Sequence, residues 1–177
     1  MAGIVKKHLI APFLNSAIDD TTKLVDKTNP NWLRICKTAS FDLTLNPETE
    51  DYDYISDENP TTELKSYKPS FNTPLVMYKG EADYDFVFGK FFNLDVGSEA
   101  KSEVLIVFFQ EPLDTPAEGE TNVVFKAWKS DCIISVNDLN SVDSTITFDV
   151  LFGGTVKKGY VTVDNGVPTF TEGTYSA

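Results

Sequence analysis

The stretch Thr145-Ile-Thr-Phe-Asp-Val-Leu-Phe152 places an apolar side chain at every second position. An alternation of period two is typical of a β-strand with one face buried and the other in solvent. The five preceding residues, Asn140-Ser-Val-Asp-Ser144, are turn-forming types, so we expect a tight connection there. The stretch therefore predicts a half-buried strand, and the same pattern recurs along much of the chain.

Other β-prone runs predict further strands, at residues 33–45, 123–129, 131–136 and 160–163. The last of these precedes Asp164-Asn-Gly166, a favoured hairpin turn. The run Val104-Leu-Ile-Val-Phe-Phe109 is apolar at both parities. Such a strand must be covered on both faces, either inside a sandwich or at a subunit contact. The fold class we expect is mainly β, a β-sandwich or barrel-like arrangement.

One segment has helical periodicity instead. Its apolar residues recur at the spacing of a helix face, namely Tyr84, Val87, Phe88, Phe91 and Leu94. Asp83 is placed to cap the first turn, and Gly97 follows the expected end. We predict one amphipathic helix over residues 83–95, whose aromatic face is core and not a ligand site. Alternation of acidic and apolar residues over 81–86 leaves a strand as the alternative.

Length and charge exclude several classes of protein. The 177 residues are 41% hydrophobic, which predicts one folded domain. We assign residues 1–31, which lack a clear period, to an N-terminal arm and residues 32–177 to the domain. The net charge of −12 disfavours nucleic-acid binding. Without an apolar run of membrane-span length or a signal-peptide pattern, the chain is expected to be soluble and cytoplasmic.

The charge is concentrated in one segment. Residues 41–63 contain no Lys or Arg and eight acids, which are Asp42, Glu48, Glu50, Asp51, Asp53, Asp57, Glu58 and Glu63. Residues 1–40 contain six basic and three acidic side chains. An acidic block is commonly a solvated loop. A calcium loop is disfavoured because Asp51-Tyr-Asp-Tyr-Ile-Ser56 lacks a third oxygen ligand and the glycine of the bend.

The acidic segment also has the layout of a long β-hairpin over residues 42–67. Its expected arms are Phe41–Leu45 and Thr61–Tyr67, joined by a tip of about 15 residues, which is unusually long for a compact domain. Tyr52, Tyr54 and Ile55 lie among the acids, and a merely solvated loop would not need them. We therefore predict a protrusion that packs on another surface. A second exposed loop is expected at residues 111–120.

Residues for catalysis are sparse. His8 is the one histidine, and Cys36 and Cys132 lie in β-prone runs that suit reduced, structural thiols. No glycine-rich phosphate loop opens a helix, and no metal-ligand spacing is present. We expect a protein that is not an enzyme and that has no cofactor and no metal.

The order of these pieces carries a family resemblance over residues 32–163. The segments concerned are Trp32-Leu-Arg-Ile35 with Phe41-Asp-Leu-Thr-Leu-Asn-Pro47, Tyr54-Ile-Ser-Asp-Glu58 with the return strand to Tyr67-Lys-Pro-Ser70, the aromatic stretch 84–92 leading to Ser102-Glu-Val-Leu-Ile-Val-Phe108, and Ile133-Ile-Ser-Val-Asn-Asp-Leu139 through Ile146-Thr-Phe-Asp-Val-Leu-Phe-Gly-Gly154. In this order they resemble the major tail tube proteins of long-tailed, siphophage-like bacteriophages and prophages.

This resemblance implies a structural virion protein with one packed helix, assembled in the host bacterial cytoplasm. It implies hexameric rings that stack into a tail tube, through which DNA passes without specific binding, and no membrane. The implied partners are other copies, tape-measure, tail terminator and distal tail proteins. The hairpin would reach the adjacent ring through Glu48, Glu50, Asp51, Tyr52, Asp53, Tyr54, Ile55, Asp57 and Glu58.

Two further hypotheses remain at this point. The first is a non-enzymatic β-sandwich binding module for a carbohydrate or protein ligand. The second concerns the assembly itself: the net-positive first 40 residues would meet the acidic hairpin of a neighbouring subunit. Rim charge pairs of this kind set register more than affinity.

Overall fold

The computed structural model describes residues 4–56, 58–114 and 123–176. Within these ranges the chain forms one α-helix, eleven strands and a short 3-10 turn at Lys7–Leu9. The helix is α1 (Ala82–Asn93), and the strands are β1 (Ile10–Asn15), β2 (Trp32–Arg34), β3 (Asp42–Thr44), β4 (Pro47–Tyr52), β5 (Thr61–Tyr67), β6 (Ser70–Val76), β7 (Lys101–Asp114), β8 (Val124–Asn140), β9 (Thr145–Phe152), β10 (Lys157–Asp164) and β11 (Val167–Glu172). The prediction of a mainly β fold with one helix is confirmed.

Nine of the strands form one continuous antiparallel sheet, in the order β2-β1-β7-β8-β9-β6-β3 with β10 and β11 attached to β8. Residues 124–129 of β8 pair with β10, whereas residues 132–140 pair with β9. The 17-residue β8 therefore joins two halves of the sheet. It merges two strands that the sequence predicted separately, while the single strand predicted over 33–45 is divided into β2 and β3. Of the loop predicted at 111–120, residues 115–120 lie outside the described ranges.

Strand β7 is covered on both faces within the monomer. Val104 and Ile106 belong to the larger apolar cluster, together with residues of β6, β9 and α1. Leu105 and Val107 belong to a second cluster with Ala127 of β8. All four β7 side chains are fully buried, each contributing about 1.5–3 kcal/mol of hydrophobic stabilisation. The apolar run is thus explained by the monomer, and no subunit contact is needed for it.

The N-terminal region is part of the sheet, which corrects the division into an arm (1–31) and a domain (32–177). Strand β1 lies between β2 and β7, and Ala11–Asn15 is buried at every position. The period-two signal is missing here because both faces of β1 are covered. The sequence therefore lacked the alternation that identifies strands with one solvated face.

The side chain of Asn15 ties the connection 16–31 to this sheet. Its Nδ2 donates to the Asp26 carbonyl oxygen at 2.8 Å and to Glu103 Oε2 at 3.0 Å. Its Oδ1 accepts the N–H groups of Ala17 and Asn31, both at 3.0 Å. The amide thus makes all four hydrogen bonds available to it. This buried network holds the polar 16–31 segment against the sheet.

Helix α1 begins and ends earlier than the sequence predicted. Asp83 lies within the first turn and is not the N-cap residue, which is Glu81. Its buried carboxylate accepts the N–H of Tyr84 in that turn at 2.9 Å, and also those of Cys36 at 3.0 Å and Lys37 at 3.3 Å. Leu94 is in the left-handed region with φ 53°, and Asp95 N–H donates to the Lys90 carbonyl at 3.2 Å. These features form a Schellman motif that stops the helix before the predicted residue 95. Gly97 lies in the next turn.

The buried face of α1 is also rotated relative to the prediction. Val87 is fully buried, and Tyr84 and Phe91 are partly buried against the larger cluster, as expected. Phe88 packs mainly on aromatic residues of its own helix, with ring centroids 5.6 Å from Tyr84 and 6.0 Å from Phe91. The prediction that Leu94 belongs to the core face is wrong, because that side chain is 77% exposed.

The rotation has a physical cause in two buried polar residues. Asp83 and Lys90 face inward beside Val87. Lys90 Nζ donates to the Glu99 carbonyl at 2.8 Å and pairs with Asp95 at 3.4 Å. Counting apolar residues alone assigns both positions to solvent, so the predicted face was wrong by part of a turn.

Within the described residues, α1 and the 3-10 turn are both far too short to cross a bilayer as a helical span.

Candidate assembly interface

The acidic segment forms two ladders in succession. Strand β3 pairs with β6 in the main sheet, and beyond it β4 pairs with β5 in a separate two-stranded sheet. The predicted arm 41–45 therefore pairs with residues 70–72 and not with 61–67. Residues 47–52, which the sequence placed in the tip, are the partner strand of β5. This strand was missed because its residues, Pro-Glu-Thr-Glu-Asp-Tyr, are mostly poor strand formers with no buried face.

A joint at Asn46 separates the two ladders. Asn46 has φ 46°, a left-handed conformation that asparagine tolerates better than most residues. Its Nδ2 donates to the Lys68 carbonyl and to Ser70 Oγ, both at 2.9 Å. Lys68 N–H in turn donates to the Leu45 carbonyl at 2.9 Å. These bonds fix the direction in which the hairpin, residues 46–68, leaves the sheet.

The hairpin contributes nothing to the hydrophobic core. None of its described residues is buried, and both strands are exposed along nearly their whole length. A two-stranded hairpin of this kind is marginally stable by itself in water. Its apolar residues therefore do not serve the folding of their own subunit.

Cross-strand polar contacts hold the two hairpin strands together. Lys65 Nζ pairs with Glu50 at 3.2 Å, hydrogen-bonds Tyr52 Oη and lies 4.5 Å from the centroid of that ring. The bonds to Tyr52 and Glu50 raise the pKa of Lys65. At the base of the hairpin, Lys68 pairs with Glu48, and bonds from Lys68 and Ser66 lower the pKa of the Glu48 carboxyl.

This pairing changes the meaning of the acidic block. The sequence shows no basic residue among residues 41–63, but Lys65 of β5 and Lys68 just beyond it pair with Glu50 and Glu48 of β4. The strands of the hairpin are thus partly neutralised across the ladder. The sequence pattern did not predict these pairs, because residues 47–52 were not predicted to be a strand. A strand there would have placed its acids opposite residues 61–67.

The tip of the hairpin is apolar and acidic together. Tyr54 stacks on Tyr52, with nearly parallel rings and centroids 5.7 Å apart, and is 55% exposed. Ile55 is fully exposed. Asp53 and Glu58 flank them, and neither forms an ion pair within the described residues. We call Tyr54 and Ile55 the apolar tip.

The structure thus gathers the predicted contact residues on one protrusion. Glu48, Glu50, Asp51 and Tyr52 lie on β4, and Asp53, Tyr54, Ile55 and Glu58 lie at the tip. Asp57 lies outside the described residues. That these residues contact a neighbouring subunit stays a prediction.

The two cysteines lie outside the hairpin and differ in exposure. Both cysteines are free thiols. Cys132 is buried, and burial raises the pKa of its thiol. Cys36 is exposed, and partial desolvation by its neighbours raises the pKa of its thiol. Across residues 4–56, 58–114 and 123–176, no three His, Cys, Asp or Glu side chains are grouped to hold a metal ion.

No family model and no curated protein matches this chain. Among solved structures, it is similar to a chain of the cryo-EM structure of the anti-feeding prophage (AFP) baseplate, 6-fold symmetrised. The TM-score is 0.45 at 10% sequence identity, covering 89% of this chain and 97% of that chain.

Proposed function

We propose that this protein is a structural subunit of a phage or prophage tail, which forms hexameric rings that stack into a tube around passing DNA. The observation that carries the proposal is the hairpin. It stands on the sheet through the Asn46 joint, buries none of its described residues and ends in the apolar tip. Exposed apolar groups rimmed by polar residues are typical of protein contact sites.

The edges of the sheet support a ring. Strands β2, β3 and β11 each have a neighbour on one side only in the described sheet. Unpaired strand edges invite pairing with another chain, and a closed cyclic assembly of identical subunits is one way to cover them. The sequence resemblance over residues 32–163 supports the same assembly.

The charge suits a conduit for DNA. A ring of six subunits would carry six times −12, or −72. Acidic groups within a Debye length of the lumen, about 8 Å at physiological salt, repel phosphate. Passing DNA would then slide without adhering to the wall.

A truncation tests whether the hairpin serves a neighbour. Replacing residues 49–65 by Asn-Gly joins Glu48 to Ser66, which face each other across the ladder, through a favoured two-residue turn. Because the hairpin adds no core, we expect the melting temperature of the monomer to stay within about 2 °C of wild type. Negative-stain microscopy of concentrated protein should show tubes or six-fold rings for wild type and unstacked subunits for the truncated chain.

Point variants supply the matched control. Ile55→Asp places a charge at the apolar tip, whereas Val142→Asp does so in the β8–β9 turn, at a side chain that is 89% exposed. Only the first should prevent stacking. A wild-type protein that stays monomeric at every concentration and salt would refute the proposed function, and an unfolded truncation would show that the hairpin supports its own subunit.

A further inference from the structure

A groove lies at the opposite end of the β3–β6 ladder from the hairpin. The hairpin leaves the ladder beside Thr44 and Ser70, while Thr38 bridges to Leu75 at the far end of β6. The groove, of about 310 Å³, is lined there by the 38–41 segment and by residues of β1 and β2. We call it the basic groove. The two features thus lie at the two ends of one rigid unit.

The walls of the basic groove combine apolar side chains with one cation, Arg34. Ile35 is buried at 3% exposure, and Ile10 and Phe41 are partly buried around it. Arg34 and His8 lie at the rim and are exposed, and Arg34 Nη2 donates to the His8 carbonyl at 3.4 Å. The groove can therefore accept an apolar side chain whose flanks are acidic.

Basic residues outnumber acidic ones in the chain around the groove. Residues 4–18 and 32–42 together contain Lys6, Lys7, Arg34 and Lys37 and one acid, the exposed Asp42. Two acids of the α1 region lie by Lys37: Glu81 is 3.9 Å from Lys37 Nζ, and the buried Asp83 is bonded to backbone N–H groups. The acidic residues of the first 40 lie in the 16–31 connection instead. The rim of the groove is thus positive in a protein whose net charge is −12.

We propose that the basic groove receives the apolar tip of the hairpin of a second copy of this chain. Ile55, which is fully exposed, would enter the groove above Ile35, and the acids beside it, Asp53 and Glu58, would meet the Arg34 side. Charge complementarity selects this occupant: the unpaired acids flank the apolar tip, and Arg34 lines the groove. The inference rests on the proposed assembly and names its acceptor surface.

The position of the two features also allows an extended assembly. A protrusion at one end and its receptor at the other can pair head to tail, and the same contact then repeats from subunit to subunit and builds a stack. This is the contact that joins one ring to the next.

A disulfide test uses Cys36, a native thiol that lines the groove and is exposed. In Ile55→Cys, copper-phenanthroline and oxygen should oxidise the introduced thiol and Cys36 of the next copy, giving a ladder of multimers on non-reducing gels. Each chain carries one donor and one acceptor, so multimers longer than two are expected. Adding Cys36→Ser should abolish the ladder. Val142→Cys, equally exposed but away from the tip, should give none above background.

Charge reversal distinguishes an error in the acceptor site from an error in the proposed tube assembly. Arg34→Glu should reduce tube length or number at least tenfold, and Asp53→Arg in the same chain should restore it in part. Lys101→Glu, which reverses an exposed lysine outside the groove, should have no effect. Wild-type tubes with neither the cross-link nor the Arg34 effect would refute the groove as the acceptor site without refuting the proposed tube. A wild type without rings or tubes would overturn both.

Discussion

The substitution Asn15→Asp tests the buried network that joins the N-terminal strand to the sheet. It keeps the shape of the side chain but replaces both N–H donors by a carboxylate oxygen. That oxygen would lie about 3.0 Å from Glu103 Oε2 and 2.8 Å from the Asp26 carbonyl, at a position that is 1% exposed. Two carboxylates at that distance repel by about 5 kcal/mol at an effective dielectric constant of about 20.

Protonation limits this cost. Lys129, which pairs with the other Glu103 oxygen at 3.1 Å, offsets part of the repulsion, and the two carboxyls can share one bound proton. The pKa of the introduced carboxyl is then raised in the folded state above its unfolded value of about 3.9. Holding that proton costs about 1.4 kcal/mol per pH unit above this value, or about 4 kcal/mol at pH 7. The loss of stability relative to wild type should therefore be small near pH 4 and grow as the pH rises.

Urea unfolding of wild type and variant between about pH 5 and 7 measures this difference. Asn15→Ala is the control, because it removes the same hydrogen bonds without adding a charge. It should lower the free energy of unfolding by about 2–4 kcal/mol with no pH dependence of the difference. If the Asn15→Asp and wild-type curves run parallel over this range, the amide does not face the Glu103 carboxylate as described.

Three other measurements address the core, the helix end and the assembly. Phe148→Ala should cost about 3–5 kcal/mol because the ring is fully buried, whereas Phe88→Ala should cost about 1 kcal/mol; equal losses in urea unfolding would contradict the rotated helix face. Leu94→Gly should raise the melting temperature by about 2–4 °C, since glycine adopts φ 53° without strain and the leucine is mostly exposed; no rise in a thermal scan would count against the Schellman end. Raising salt from about 0.01 to 0.15 M should promote tubes, because it shortens the Debye length from about 30 to 8 Å. The repulsion between acidic subunits is then screened, while ion pairs in direct contact persist. Light scattering that falls over this range would show that attraction between charges, and not repulsion, dominates the assembly.

The sequence predicted best those elements whose burial alternates. Strand β9 was identified because Ile146, Phe148 and Val150 are buried and the residues between them are less so. Strand β1 was missed because it is covered on both faces, and β4 because it is covered on neither. Period-two reasoning requires one solvated face, so it identifies neither kind of strand. Strand β7, also covered on both faces, was predicted instead from its unbroken apolar run.

The candidate interface was predicted in part. The acids and aromatic residues of the hairpin could be identified because their types are unusual together, and the structure places the described ones on one protrusion. The pairing of β3 with β6 could not be predicted from residues 41–67 alone, because the partner lies outside that segment. The rotation of α1 depended on two buried polar residues. Lys90 bonds to residues just beyond the helix, whereas Asp83 bonds to the backbone of Cys36, 47 residues away. A long-range contact of the second kind is set by tertiary packing and leaves no local pattern.

Folding also changes what the charge distribution means. Along the chain, residues 1–40 are net positive and residues 41–63 are strongly negative. In the structure, β1 and β2 bring the net-positive segments to one end of the β3–β6 ladder, and the hairpin projects from the other. A subunit with charges of opposite sign at its two ends is attracted head to tail and repelled when two hairpins meet. Since exposed ion pairs add little affinity, their effect in the proposed assembly is to exclude the wrong orientation, and the apolar tip supplies the contact area once the orientation is right.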